Sequence, residues 1–388
     1  MMERKILANE IFEQRTAEMQ RRIRNDGYDA VIIASSEAEP ANVRYFTDYW
    51  PVFETAGILI PAEGDAILLT GPESIKLIEA HSRTQNYRKL LEFRESSDPE
   101  YPDIEHSEFS DVFDEISKGR GISKIGLIGT NVMTVQVYEG ILAACKGARV
   151  EKCDGYLRDM RMIKSPQELE MMRRAASIAQ EGFKYAIGRV RPGMTEIEAA
   201  AECTYGVLKA GAETPGFMIW CVSGPHTSQA IGKSTHRVIR ENELVQFTMG
   251  SMYEGYVSSF GRPFSFGRIP EKQSEMIKTG LQANALTHSL IRPGANAGVI
   301  ARSVQDLIRR NGFGDHIVYG PGHGTGMMEC EYPFIESISD YELKEGMTFA
   351  VDTFLAGADY GMRFEDTVAV TANGEEQFAP YAREVIIL

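Results

Sequence analysis

A chain of 388 residues with 43% apolar and 25% charged side chains is long enough for two domains and has the make-up of an ordinary soluble globular protein. Its formal charge of −14 argues against nucleic acid as a partner, because phosphate binding needs clustered Lys and Arg. No apolar run approaches the ~20 residues of a membrane span, residues 1–5 lead into a polar helix and not an apolar signal core, and the scattered cysteines hold no CxxC pair, so a reducing, cytoplasmic setting is expected.

Residues 9–26 read as an amphipathic helix, with Ile11, Met19 and Ile23 among Arg, Glu and Gln. Short β-prone runs follow at 30–34, 57–61, 66–70 and 124–128, with helical stretches near 73–82, 110–118 and 134–146. Strands alternating with helices predict an α/β domain with a largely buried sheet over residues 1–157. A long helix is expected over 157–182. Within it Ser165, Pro166 and Glu168 form a start signal of N-cap, first-turn proline and capping box, and Leu169, Met172, Ala176, Ala179 and Phe183 follow as an apolar stripe. The second domain is therefore expected to span 158–388.

Inside that domain Arg191-Pro192-Gly193-Met194-Thr195-Glu196 recurs as Arg292-Pro293-Gly294-Ala295-Asn296-Ala297, each copy lying between two amphipathic helices and leading on to β-prone segments. A repeat of roughly a hundred residues predicts two similar halves with a site between them. Two clusters could carry chemistry. His323 stands among glycines in Gly320-Pro321-Gly322-His323-Gly324-Thr325-Gly326, where no neighbouring side chain blocks the ring. Asp352 and Glu365 lie in β-prone apolar runs, where a carboxylate must face water, a cation or another partner.

GHGTG followed by E-x-P (322–333), EGMTFAVD (345–352) and RFEDTVAVT (363–371) resemble the C-terminal motifs of the prolidase and aminopeptidase P family, which also contains creatinase. RMIKSPQELEMMRRAA (161–176) resembles its interdomain helix, and SGPHTSQAIGKSTHR (223–237) and LVQFTMGSMYEGYVSSFGRPF (244–264) its central motifs. The resemblance is colinear over 158–388. It implies an α+β pita-bread domain with an internal pseudo-two-fold, an N-terminal α/β domain of the creatinase/prolidase type, and a homodimer.

The peptidases that the chain resembles hold two divalent metals with two Asp, one His and two Glu. By position these fall on Thr248, Ser259, His323, Asp352 and Glu365, while a second His falls on Cys330 and the His of the SGP motif on Ile231. Neutral hydroxyls at Thr248 and Ser259 make a dinuclear centre unexpected. A single Mn, Co or Zn ion on His323, Asp352 and Glu365 is the remaining cofactor expectation. The creatinase pattern is not met either: its base falls on Ile231, its central Glu on Gly261, its carboxylate-binding Arg near Phe334 and its late His on Glu365.

The expected activity is hydrolysis of a C–N bond in a small polar molecule bearing an amine, amide or guanidino group. His323, Asp352 and Glu365 are the expected catalytic residues, and Thr248, Ser259, Cys330, Glu331 and Arg363 line the substrate, with Ser258 nearby. In the resembling family an aromatic loop, here Trp50 to Phe53, reaches over the partner's site. His226 and His236 are expected to be solvated, or to stand in for the missing motif His. The rival readings are a one-metal Xaa-Pro peptidase and a non-catalytic binding protein, and a lyase would use much the same residues.

Overall fold

The structure, a computed structural model, describes residues 6–388; residues 1–5, with the expected absence of a signal core, lie outside the described residues. The chain divides into two compact units, Leu7–Arg161 and Met162–Leu388. Among the described residues no helix is long and apolar enough to cross a membrane.

The first unit is a six-stranded mixed sheet with helices. Its spatial order is Tyr87–Lys89, Ile67–Thr70, Ala56–Pro61, Ala30–Ser35, Lys124–Ile128, Arg149–Lys152. The four inner strands are the apolar runs of the sequence, because a strand covered on both faces loses its polar alternation. The edge strands Tyr87–Lys89 and Arg149–Lys152 have no fully buried residue and so leave no apolar signal. Helix Ala41–Thr47 is buried at every position and too short for a readable period.

The long helix expected over 157–182 is two helices, Asp154–Met162 and Pro166–Ile187. Ser165 caps the second by accepting from the Glu168 N–H, and Glu168 closes the capping box. The residue before a proline is driven out of helical backbone geometry, so the start signal of one helix is also the stop of the other.

The second unit carries the repeat in its backbone. Helices Pro166–Ile187 and Glu196–Lys209 form one pair, and Glu271–Leu290 and Ala297–Arg310 the other. In the turn of each pair a glycine has positive φ (Gly193 +93°, Gly294 +77°), followed by an N-cap, Thr195 or Asn296. The Gly193 N–H donates to Ile239 O and that of Gly294 to Leu343 O, each at 2.9 Å. The main sheet runs Glu331–Ile335, Gly322–Gly324, Thr348–Ala356, Gly361–Thr371, Phe260–Ser265, Leu244–Met249, Trp220–Ser223. One helix pair closes a core around Phe183, Val207, Phe247 and Phe264; the other closes one around Met276, Ile300, Phe349 and Phe364.

The two halves of the sheet meet where Phe260 pairs with Asp366 and Gly261 with Glu365. Beneath this seam the fully buried Arg262 bonds the Asp366 carboxylate and donates to Glu365 O at 2.9 Å, while His288 Nε2 lies 3.6 Å from Asp366. Burial alone would raise the Asp366 carboxyl, but Arg262 and His288 outweigh it and hold it at about 2. A carboxyl depressed from its usual value near ~4 contributes stability that is complete above about pH 4 and is lost as pH falls towards about 2. Asp366→Asn is therefore expected to lower the unfolding free energy at pH 7 by about 3–5 kcal/mol, since it strands a buried cation. In urea denaturation the gap to the parent protein should narrow below about pH 4; a gap independent of pH would remove the ion pair as its cause.

Candidate active site

Strand register assembles the site. Asp352 pairs directly with Glu365, Glu365 neighbours Gly261, Gly261 pairs with Thr248, and Thr248 with Trp220. Directly paired residues share a face, so these five positions form one row across the sheet. His323 pairs with Ala350, two residues before Asp352, and therefore joins the same face. Arg363 stands two residues before Glu365 and also points there, while Phe364 and Asp366 point to the opposite face. The row opens into a cavity of about 320 Å³ that also takes in Phe217, Tyr319, Glu329, Cys330 and Phe334.

Gly261 explains how Arg363 fits. A Cβ at Gly261 would lie 3.0 Å from Glu365 Cβ and 3.2 Å from Arg363 Cγ, so a carboxylate-bearing residue here would displace the arginine. The guanidinium, buried, donates to Tyr319 Oη and to Ala230 O at 2.7 Å each, and its Nη1 lies 3.4 Å from Thr248 Oγ1. Its Nε faces Asp352 Oδ1 at 3.1 Å, but without the alignment of a hydrogen bond. Tyr319 Oη donates to the other oxygen of Asp352 at 2.6 Å. Asp352 Oδ1 thus remains a buried acceptor with a charge beside it and no hydrogen-bond donor.

Around Glu365, Ser259 Oγ donates to the carboxylate and also lies 3.3 Å from Glu329 Oε1. Burial, with Asp352 and Glu329 adding repulsion, pushes the Glu365 carboxyl up to about 8 against the pull of Arg363 and His323. His323 Nδ1 donates to Gly324 O at 3.0 Å, which leaves Nε2 facing Glu329 at 3.4 Å. Burial lowers the His323 pKa, but Cys330, Glu329 and Glu365 together outweigh it and hold the ring at about 10. The pocket thus contains a cationic imidazole, a guanidinium and a readily protonated carboxyl.

His323, Asp352, Glu365, Thr248, Arg363 and Cys330 all line this cavity. Ser259 sits behind Glu365 instead of lining it, and Ser258 accepts from the Ser251 N–H at 3.4 Å. Glu331 turns away: Lys164 Nζ holds its carboxylate at 2.8 Å with both side chains buried. His226 does not line the cavity; its partly exposed ring lies 3.0 Å from the buried Glu196 carboxylate. His236 does not line the cavity, and Ile231 at its rim is 89% exposed. In the first unit Trp50 is half-buried, with Arg44 4.5 Å above its ring and His81 beside it, and Phe53 is 78% exposed at φ +60°.

The sequence reading missed Glu329, Tyr319, Phe217 and Trp220. Glu329 stands in the quoted His323 motif, but it lies in the loop between strands Gly322–Gly324 and Glu331–Ile335, where no strand alternation says which way it faces. Tyr319 and the aromatic pair Phe217 and Trp220, with ring centroids 5.7 Å apart, have no motif to betray them.

Residues 170–372 match metallopeptidase family M24, and residues 15–163 match the creatinase/prolidase N-terminal domain. The chain belongs to metallopeptidase family M24, a family of C–N bond hydrolases, with the pita-bread fold in its second domain. It is 27% identical over 351 residues to an Xaa-Pro dipeptidase of Pyrococcus furiosus, covering 90% of this chain and 94% of that one. An uncharacterized peptidase of Bacillus subtilis is 29% identical over 269 residues, covering 69% and 76%. Among solved structures, an X-Pro aminopeptidase from Thermotoga maritima superposes with TM-score 0.84 at 24% identity, covering 96% and 99% of the two chains. The prolidase of Pyrococcus horikoshii gives 0.83 at 24%, covering 96% and 100%. At that identity both speak for the fold.

The donor set is poor for the paired divalent ions of such peptidases. Thr248 and Ser259 offer neutral hydroxyls, and Asp352 already faces a guanidinium. Ligand atoms of His323, Asp352 and Glu365 do converge within 4.8 Å. However, a divalent ion about 4 Å from Arg363 would meet repulsion on the order of 8 kcal/mol at an effective dielectric of 20. Arg363→Met should lower stability by about 3–5 kcal/mol by leaving Asp352 buried without its cation, and Arg363→Lys should restore only part, because it lacks the planar fork. Thermal unfolding of both variants checks this, and equal stabilities would show that the fork is dispensable.

Proposed function

We propose that this chain hydrolyses a C–N bond in a small cationic molecule, an amine, amidine or guanidine, without a pair of metal ions. The observation that carries this reading is the charge balance of an aromatic-walled cavity. Three carboxylates (Glu329, Glu336, Asp352) and the readily protonated Glu365 meet two cationic groups, His323 and Arg363, and Phe217, Trp220 and Phe334 supply apolar walls. Excess negative charge beside aromatic faces suits a planar, delocalised cation. Its N–H groups would fill the donor that Asp352 Oδ1 lacks, and its approach would draw the proton from Glu365.

In this reading Asp352 and Glu365 hold and orient the substrate. Arg363 and Tyr319 keep Asp352 fixed. His323, oriented through Nδ1 by Gly324 O, gives its Nε2 proton to the departing nitrogen. The family relation also makes a cytoplasmic homodimer, with the Trp50 to Phe53 loop over the partner's site, part of the proposal. A second reading, a one-metal Xaa-Pro peptidase, is favoured by the convergence of His323, Asp352 and Glu365 and by the dipeptidases among the relatives.

Metal content of protein purified without chelator, then saturated with Mn, Co or Zn, separates the two. Under our reading no stoichiometric metal is retained and guanidino or amidine compounds are turned over; metal lost together with proline-dipeptide cleavage on chelation overturns it. Asp352→Asn and Glu365→Gln are each expected to lower kcat/KM by more than ~100-fold, and His323→Ala to lower kcat by a similar factor. A loss confined to KM in His323→Ala would make His323 a binding group. Conversely, Thr248→Asp with Ser259→Asp should gain divalent-metal affinity in calorimetry; unchanged affinity would show that the hydroxyls are not what limits metal binding.

A further inference from the structure

We infer that Cys330 is the nucleophile of this pocket, attacking the central carbon of a bound amidine or guanidine to form an S-linked covalent intermediate. The substrate class rests on the reading above, whereas the placement of the thiol stands independently of it. Among the described residues Cys145, Cys203 and Cys221 are buried and Cys153 is partly buried, its thiol pushed up to about 12 by burial. Cys330 is exposed, and it lines the cavity.

The Cys330 thiol stands beside a histidine and a glutamate. The sulfur, a ring nitrogen of His323 and a carboxylate oxygen of Glu329 all lie within 4.8 Å of one another. The same ring belongs to a second group, with Asp352 and Glu365, of the same span. His323 therefore stands between a thiol and the two carboxylates. Beyond it, Asp352 Oδ1, nine-tenths buried and without a donor, opens onto the same cavity. A planar cation whose N–H groups meet Asp352 and Glu365 would share that cavity with the Cys330 thiol. Nδ1 is committed to Gly324 O, so the ring is held with Nε2 free for proton transfer. Thr248 and Ser259, the other candidates for attack, are engaged by Arg363 and Glu365.

The chemistry balances with water alone. The thiolate's electron pair forms a C–S bond while the C=N π pair moves to nitrogen. The C–N bond to the departing amine then breaks, and that nitrogen takes a proton from His323. Water adds to the sulfur-bound carbon, giving a proton back to His323. The oxygen's electron pair then forms the C=O bond as the C–S bond breaks and the thiolate returns; the hydroxyl proton passes to the released amine, and the products are an ammonium with an amide or a urea.

The test uses two alkylating probes of similar size, cationic 2-chloroacetamidine and neutral 2-chloroacetamide, in each of which a thiolate displaces chloride. Alkylation rates are read by intact-protein mass spectrometry, mapped to the modified cysteine by peptide analysis, and normalised to glutathione with the same probe. Cys330 should react more than ~10-fold faster than glutathione with the amidine. The preference for the amidine should vanish in Asp352→Asn, and both rates should fall in His323→Ala. Rapid reaction of Cys330 with both probes alike would keep the nucleophile and sink the cation-binding reading. Reaction no faster than glutathione with either probe overturns the nucleophile whatever the substrate. So does undiminished turnover in Cys330→Ala of any compound the parent protein hydrolyses.

Discussion

The register that sets Asp352 directly beside Glu365 is the constraint around which this molecule is organised. Two carboxylates on adjacent strands, both buried, repel each other and have lost their hydration. Everything nearby answers that cost. Arg363 and Tyr319 attend Asp352, Ser259 donates to Glu365, and His323 with Glu329 completes the ring. On the other face of the same strand Asp366 is balanced by Arg262, which also clamps Glu365 O. A slip of one residue would send Asp366 into the cavity and Glu365 into the core under the helices, so the ion pair below protects the register above.

The same row separates what the scaffold decides from what the site decides. Membership of metallopeptidase family M24 and the superposition on an aminopeptidase and a prolidase concern backbone and core. The site is decided by a handful of side chains on that backbone. Gly261 leaves the volume that Arg363 occupies, and Arg363 places a fixed cation against Asp352. A permanent guanidinium can balance a carboxylate, but it cannot polarise a carbonyl as a metal ion does. In the function proposed above the attacking group comes from elsewhere, and the exposed thiol of Cys330 lines the same cavity.

Much of this architecture was legible in the sequence, and the legible parts share a physical reason. The inner strands of the first unit and the Ser165 start signal are local: apolar runs and capping chemistry act within a few residues. The repeated Arg-Pro-Gly turn is local too, and in its two copies equivalent glycines donate to Ile239 O and Leu343 O. His323, Asp352 and Glu365 could be singled out because a histidine among glycines, or a carboxylate in an apolar strand, is costly without a purpose.

What only the tertiary structure decided concerns direction and partnership. Glu331 and Glu329 flank the same cysteine, yet one is tied to Lys164 and the other faces His323. Nothing in their spacing separates them, because Glu331 opens a strand while Glu329 lies in the loop before it. His226 looked free until Glu196, thirty residues away in the chain, closed on it. Arg363 lines the cavity as expected of a substrate contact, and its pairing with Asp352 and Tyr319 came only from the structure. Sequence by itself determined which backbone forms and which residue types are out of place in it. Which charge meets which was settled by cross-strand register, a long-range property that no local pattern encodes.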